Sequence, residues 1–190
     1  DRITSSSPMT ISLTDLSGGL SSSPLEDDLV IVSLCNSSNA NRLATIGVST
    51  SGFISEVSQN VASTTNSNME VFYKPMGVVP DTSLDAVVSS GSFDSCVVMI
   101  QVYRDIDTVT PIDVTTVVST GTGDNDPNPG AITPTTTGAI ICVIGMGTTT
   151  NTSRPVALTE SYLLNPVSGE SESSSGYGVS SSSSTKSPPT

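Results

Sequence analysis

Short runs of β-branched and aliphatic residues alternate along the chain with longer stretches of Ser, Thr, Gly and Pro. Met9-Thr10-Ile11-Ser12-Leu13 alternates apolar and polar residues, which is the period-2 pattern of a half-buried strand. Residues 29–35 and 96–103 are nearly continuous apolar runs and read as strands buried in the middle of a sheet. Residues 139–144 form another such core strand. Further strands are predicted over 43–48, 52–59, 69–74, 84–90, 112–118, 156–164 and 176–182. Met69, Val71 and Tyr73 share one face of theirs. Residues 16–27, 36–41, 62–68, 107–111 and 121–134 carry the Gly, Pro, Asn and Asp of loops and turns. No window sustains a 3.6-residue period with caps. The pattern therefore predicts at least about seven strands and no helix longer than about two turns.

The fold class expected is all-β, an antiparallel β-sandwich of jelly-roll-like form in a single domain. The sandwich is placed at residues 9–179, between a polar arm at 1–8 and a Ser/Pro-rich tail or linker at 180–190. Leu29, Ile31, Val98, Ile100, Ile141 and Val143 are expected in one core. The arm and tail hold too few apolar residues to fold alone. One or both are expected to lie against another subunit, either adding a strand to an exposed sheet edge or entering a groove on the particle.

Composition removes several function classes. The 190 residues carry six basic side chains against 18 acidic ones, a net charge of −12. Arg2, Arg42, Lys74, Arg104, Arg154 and Lys186 are scattered, so no basic surface for nucleic acid or an anionic membrane is expected. There is no His to act as a base near neutral pH or to ligate a metal. Cys35, Cys96 and Cys142 cannot all pair within the chain, and each lies in or beside an apolar run. They read as free, buried thiols of a protein folded in a reducing cytoplasm.

Candidate chemistry is sparse. Asp124-Asn125-Asp126-Pro127-Asn128 places oxygen ligands at alternate positions, as a calcium loop does. Pro129 stands where such a loop wants Gly, no Glu follows at the right distance, and flanking helices are missing. The plain reading is an acidic turn, with Asp124, Asp126 and Asn128 as the metal candidates if one binds. No catalytic residue and no cofactor is assigned. The 18 acids offer many carboxylate pairs, and nothing singles out one for glycoside hydrolysis. Asn36-Ser37-Ser38 and Asn151-Thr152-Ser153 match the glycosylation sequon, as chance allows in a Ser/Thr-rich chain.

Several segments in their order carry a resemblance. They are Asp27-Asp28-Leu29, Gly52-Phe53, Val71-Phe72-Tyr73-Lys74, Tyr103-Arg104-Asp105-Ile106-Asp107, Pro111-Ile112-Asp113 and Gly138-Ala139-Ile140. The chain resembles a β-sandwich module of virion structural proteins of tailed bacteriophages, notably marine ones, over residues 9–184. It departs from that pattern at Asp105, where Gly is usual, and at Phe53, where Trp is common. It also ends without the last apolar strand the family often has, so the polypeptide is expected to continue or to borrow that strand from a neighbour. From the residues themselves, Arg104 at a strand end with Asp107 and Asp113 nearby suggests a charge-assisted pair that fixes the following turn.

The resemblance implies a non-enzymatic accessory protein on the virion surface, made in the bacterial host cytoplasm. It would be a capsid-surface decoration (cement) protein or a tail or fibre module. Its partners would be the major capsid protein or tail proteins and copies of itself, without nucleic acid or membrane. The alternative is an adhesin recognising host surface glycans, though aromatics are 4% and mostly fall in predicted strands. A secreted hydrolase ranks last.

Overall fold

A computed structural model describes residues 2–3, 8–17, 19–38, 40–47, 50–62, 66–88, 95–120, 131–137, 139–147, 160–164 and 178–185. Among these are eleven β-strands and no helix. They are β1 (Arg2–Ile3), β2 (Met9–Ser12), β3 (Leu29–Ser38), β4 (Ala44–Ile46), β5 (Ile54–Val61), β6 (Asn66–Pro75), β7 (Ser83–Val88), β8 (Ser95–Tyr103), β9 (Ile140–Gly147), β10 (Glu160–Leu164) and β11 (Gly178–Thr185). Three antiparallel sheets result, in the orders β1-β8-β3-β6-β5, β2-β7-β4 and β10-β11-β9.

Period-2 alternation builds the sandwich. Met9 and Ile11 of β2 and Leu84, Ala86 and Val88 of β7 turn inward, while their neighbours face solvent or lie half-buried. Against them pack Val30, Val32 and Leu34 of β3, all with no exposed surface. In register on the same face stand Phe72 of β6 and Val98 and Ile100 of β8. Each fully buried aliphatic contributes on the order of 1.5–3 kcal/mol.

The reverse face of β3 is covered as well. Cys35 and Met99 are buried there against Met69 and against Ile144 of β9. The Cys142 thiol, also on β9, donates to Gln101 Oε1 at 3.3 Å. A strand buried on both faces needs apolar residues at every position, which is why residues 29–35 show no alternation.

That double burial corrects the expectation of one core. Val98 and Ile100 face the sandwich interior, whereas Leu29 and Ile31 lie on the other parity, with Cys35. Both parities of a continuous apolar run look alike in sequence, so the pattern could not choose between them. Ile141 and Val143 lie in β9, but their side chains are outside the described set. The strand expected over 112–118 is also corrected, because these residues join no sheet. Side chains of this stretch reach other segments instead: Thr116 Oγ1 donates to Glu56 Oε1 on β5.

The described parts of both ends pair within the chain. β1 pairs with Val97 and Cys96 of β8. β11 runs through the Ser tract between β9 and β10. Three free cysteines are present, Cys35 and Cys96 buried and Cys142 partly so. Burial raises the Cys96 thiol to about 12 and that of Cys142 to about 11, and Cys35 lies well above its ordinary value.

Parity gives a direct test. Leu34→Ala empties a site with no exposed surface and is expected to lower stability by about 2–5 kcal/mol. Ile31→Ala, on the half-buried reverse face, is expected to cost clearly less. Urea unfolding of both variants measures the difference, and equal losses would contradict the layer assignment.

Candidate functional site: the loop end of the sandwich

β2 ends where β3 begins, β4 where β5 begins and β6 where β7 begins, and β8 ends beside them. Residues 13–28, 47–53, 76–82 and 104–110 therefore share one end of the sandwich. These connections would separate unless something tied them, because their backbone has few ladder bonds.

The principal tie is Asp28. Its side chain is 1% exposed and lies just before β3. Oδ1 accepts from Arg104 Nε and Oδ2 from Arg104 Nη2, each at 2.9 Å, a two-pronged pair. Oδ2 also accepts from the Leu25 N–H at 2.8 Å. The Asp28 backbone bonds to Leu25 and Met76, and the Asp27 N–H donates to the Met76 carbonyl. The Asp28 carboxylate thus joins the loop before β3 to the end of β8, and the backbone of Asp27 and Asp28 adds the end of β6. The Arg104 bonds hold its carboxyl below the usual value of 3.8, outweighing the opposing effect of burial.

Lys74 is the second tie. Its Nζ donates to the Ser51 carbonyl at 2.8 Å and to Asp81 Oδ2 at 2.6 Å. It also lies 5.5 Å from the centre of the Phe53 ring. Gly52 permits this approach: its φ is +92°, and a Cβ there would meet Lys74 Cε at 3.3 Å.

Beyond β8, Asp107 caps its own turn and Asp113 holds a segment more than twenty residues further on. Asp107 accepts from the N–H groups of Val109 and Thr110 and from the Thr110 hydroxyl. Asp113 accepts from the N–H and hydroxyl groups of Thr135 and Thr136. Those bonds take its carboxyl down to about 2. The expected pairing of Arg104 with Asp107 or Asp113 is therefore corrected to Asp28, 76 residues away in sequence. Nothing local in the sequence reveals a partner at that separation. Asp105 and Asp27 adopt left-handed backbone, with φ of 59° and 63°. At Asp105 this is the conformation that Gly accepts most readily.

Held in this way, the loops present apolar side chains to solvent. Val78, Val79 and Val109 are 78%, 86% and 88% exposed. Leu20, Leu25 and Ile54 are exposed at the same end. Single exposed aliphatics are ordinary on a protein surface. Val78 and Val79 are adjacent in the 76–82 connection, and the others lie on the neighbouring connections of the same end.

The metal candidates Asp124, Asp126 and Asn128 lie outside the described residues. Among the described residues no group of three metal-ligating side chains occurs. The sequon at Asn36 is unusable in the folded chain, since Asn36 has no exposed surface. No family model, curated protein or solved structure matches the chain.

Substitutions at two positions test the loop end. The lowered value of Asp28 means that its contribution is complete above its ordinary value of 3.8 and is lost as pH falls through the folded value. Asp28→Asn is expected to lower the thermal midpoint near neutral pH, on the order of 5 °C, and to flatten the acid loss. Asp105→Gly is expected to raise stability by up to about 1 kcal/mol, and Asp105→Val to lower it by at least as much. Thermal melts across the acid range and at neutral pH check both.

Proposed function

We propose that the chain is a non-enzymatic structural module of a tailed-phage virion, a jelly-roll-like sandwich that docks on the particle by its loop end. A capsid-surface decoration role is favoured, with a tail or fibre position next. The observation that carries the reading is the set of exposed Val78, Val79, Val109, Leu20 and Leu25 on loops tied together by Asp28, Arg104, Lys74 and Asp81. A contact surface of this kind gains affinity because its geometry is set before binding, so little ordering remains to be done on association. Many equivalent sites on a lattice would multiply a weak individual contact.

The motif segments support the same reading from a second direction. Asp28, Gly52, Phe53, Lys74 and Arg104, each within a stretch on which the family resemblance rests, meet at this one end. Their roles there are architectural, as suits a module whose work is mechanical. The partner would be the major capsid protein or a tail protein of the particle. Net negative charge keeps the free module soluble and apart from nucleic acid.

The test is the purified particle. Mass spectrometry is expected to find the chain in stoichiometric amount, and a reconstruction to show it seated through residues 76–82 and neighbouring loops. The double variant Val78→Ser/Val79→Ser is expected to keep its melting temperature and to lose attachment by at least about tenfold. Absence from particles defeats the proposal, and sugar-dependent binding to host cells favours the adhesin reading.

A further inference from the structure

Glu70 stands in the sandwich interior with no cationic partner. It is 1% exposed. Register places it on β6 opposite Leu34 of β3 and Ser58 of β5. Its Oε2 accepts from the Ala44 N–H at 3.0 Å. Its Oε1 is buried with no hydrogen-bond partner. The other buried carboxylate of the described residues, Asp28, is by contrast fully engaged by Arg104 and Leu25.

The position matters because Ala44 opens β4. There the chain leaves the large sheet and joins the facing one, and β4 pairs with β7 over three positions. Polar side chains hold the connector before it. Asn36 Nδ2 donates to the Arg42 carbonyl at 2.9 Å, and the Arg42 N–H donates to Asn68 Oδ1 at 3.1 Å. Asn68 Nδ2 in turn donates to Asn36 Oδ1 at 3.1 Å, and Asn60 Nδ2 donates to Asn68 Oδ1 at 2.8 Å. Glu70 is the titratable member of this set.

We propose that Glu70 is a proton-operated latch on β4: uncharged, it seats β4 against the large sheet, and charged, it weakens that seat. The neutral acid accepts the Ala44 N–H through its carbonyl oxygen. The anion places charge on a buried oxygen that has no hydrogen-bond partner, and it is relieved when β4 moves away and water enters. The proton is released to that water.

The surroundings leave Glu70 as the group that responds near neutral pH. β8 presents Cys96 and β3 carries Cys35, and both thiols stay protonated, since burial and the Glu70 charge raise them. β5 presents the Ser58 hydroxyl. Arg42, in the connector, directs its Nε to Ser38 Oγ at 3.3 Å. Burial pushes the Glu70 carboxyl up to about 7, against the smaller opposing effects of the Ala44 N–H and Ser58. The folded chain therefore binds this proton more tightly than the unfolded chain, whose ordinary value is 4.5. Stability is full below that ordinary value, declines as pH rises towards 7, and levels off above it. Asp28, Asp107 and Asp113, held low, impose the opposite dependence below 3.8. The contributions of these four groups are together greatest between the two ordinary values, 3.8 and 4.5.

The experiment is a carboxyl-carbon NMR titration of Glu70 in the intact chain, with hydrogen exchange of the Ala44 and Val32 amides. The expected Glu70 midpoint is near 7. Ala44 protection, corrected for intrinsic exchange, is expected to fall between about pH 5 and 7 by up to roughly tenfold per pH unit. Val32, deep in β3, is expected to change less. Glu70→Gln removes the slope. Glu70→Met serves the same purpose if the Gln variant does not fold. A Glu70 midpoint near 4.5, flat Ala44 protection in the native chain, or an unchanged slope in the folded variant overturns the proposal.

Discussion

β3 is covered on both faces and paired along both edges, and the rest of the structure answers to that constraint. Its backbone finds partners in β6 and β8. Its apolar side chains fill two layers at once. Any polar group it carries, or that its neighbours place beside it, is cut off from water and must be matched inside the protein. Asp28 at one end and Asn36 near the other are both fully buried. The two are matched by different chemistry.

At the loop end the match is ionic. Arg104 is 43% exposed in its side chain while Asp28 is 1% exposed, so the pair sits at a boundary where the guanidinium keeps part of its hydration. That placement avoids most of the desolvation penalty of a fully buried pair and keeps two-pronged geometry. Near the other end the match is made by amides. Asn36 and Asn68 bond to each other and to the backbone of Arg42, and so hold the crossover to β4 without charge. Glu70, between these regions, and the unpartnered hydroxyl of Ser33 are where matching is incomplete. Incomplete matching in an interior is a reservoir of free energy that protonation or local opening can release.

This arrangement bears on function by setting what can move and what cannot. Loops that would otherwise flex are tied by Asp28, Arg104, Lys74 and Asp81, and the apolar residues they present are held in place before any partner arrives. On the proposed reading as a virion surface module, that property matters more than a reactive group. The outer positions of β2 and β7, such as Thr10, Ser12 and Ser83, are polar and exposed, which on that same proposed reading would keep the free module soluble.

The sequence by itself determined the class of the fold and most of its strands. Alternation at Met9–Leu13 and the apolar runs at 29–35 and 96–103 are local properties, and local periodicity is sufficient to specify a strand. The motif stretches contained Asp28, Gly52, Phe53, Lys74 and Arg104, but of these five the residue pattern gave an ion-pairing role to Arg104 alone, and with Asp107 or Asp113 as its partner. Parity within β3, the partner of Arg104, and the failure of residues 112–118 to form a strand were decided only by tertiary structure. Each depends on which surfaces and which side chains are brought together across long sequence separations. The Glu70 site lies between the two cases. Its parity with Phe72 and Asn68 is visible in Asn68-Met69-Glu70-Val71-Phe72, so an acid on the core face could have been noticed. Whether a cation would meet it there was a matter of packing, and the fold placed an amide N–H on one oxygen and nothing on the other.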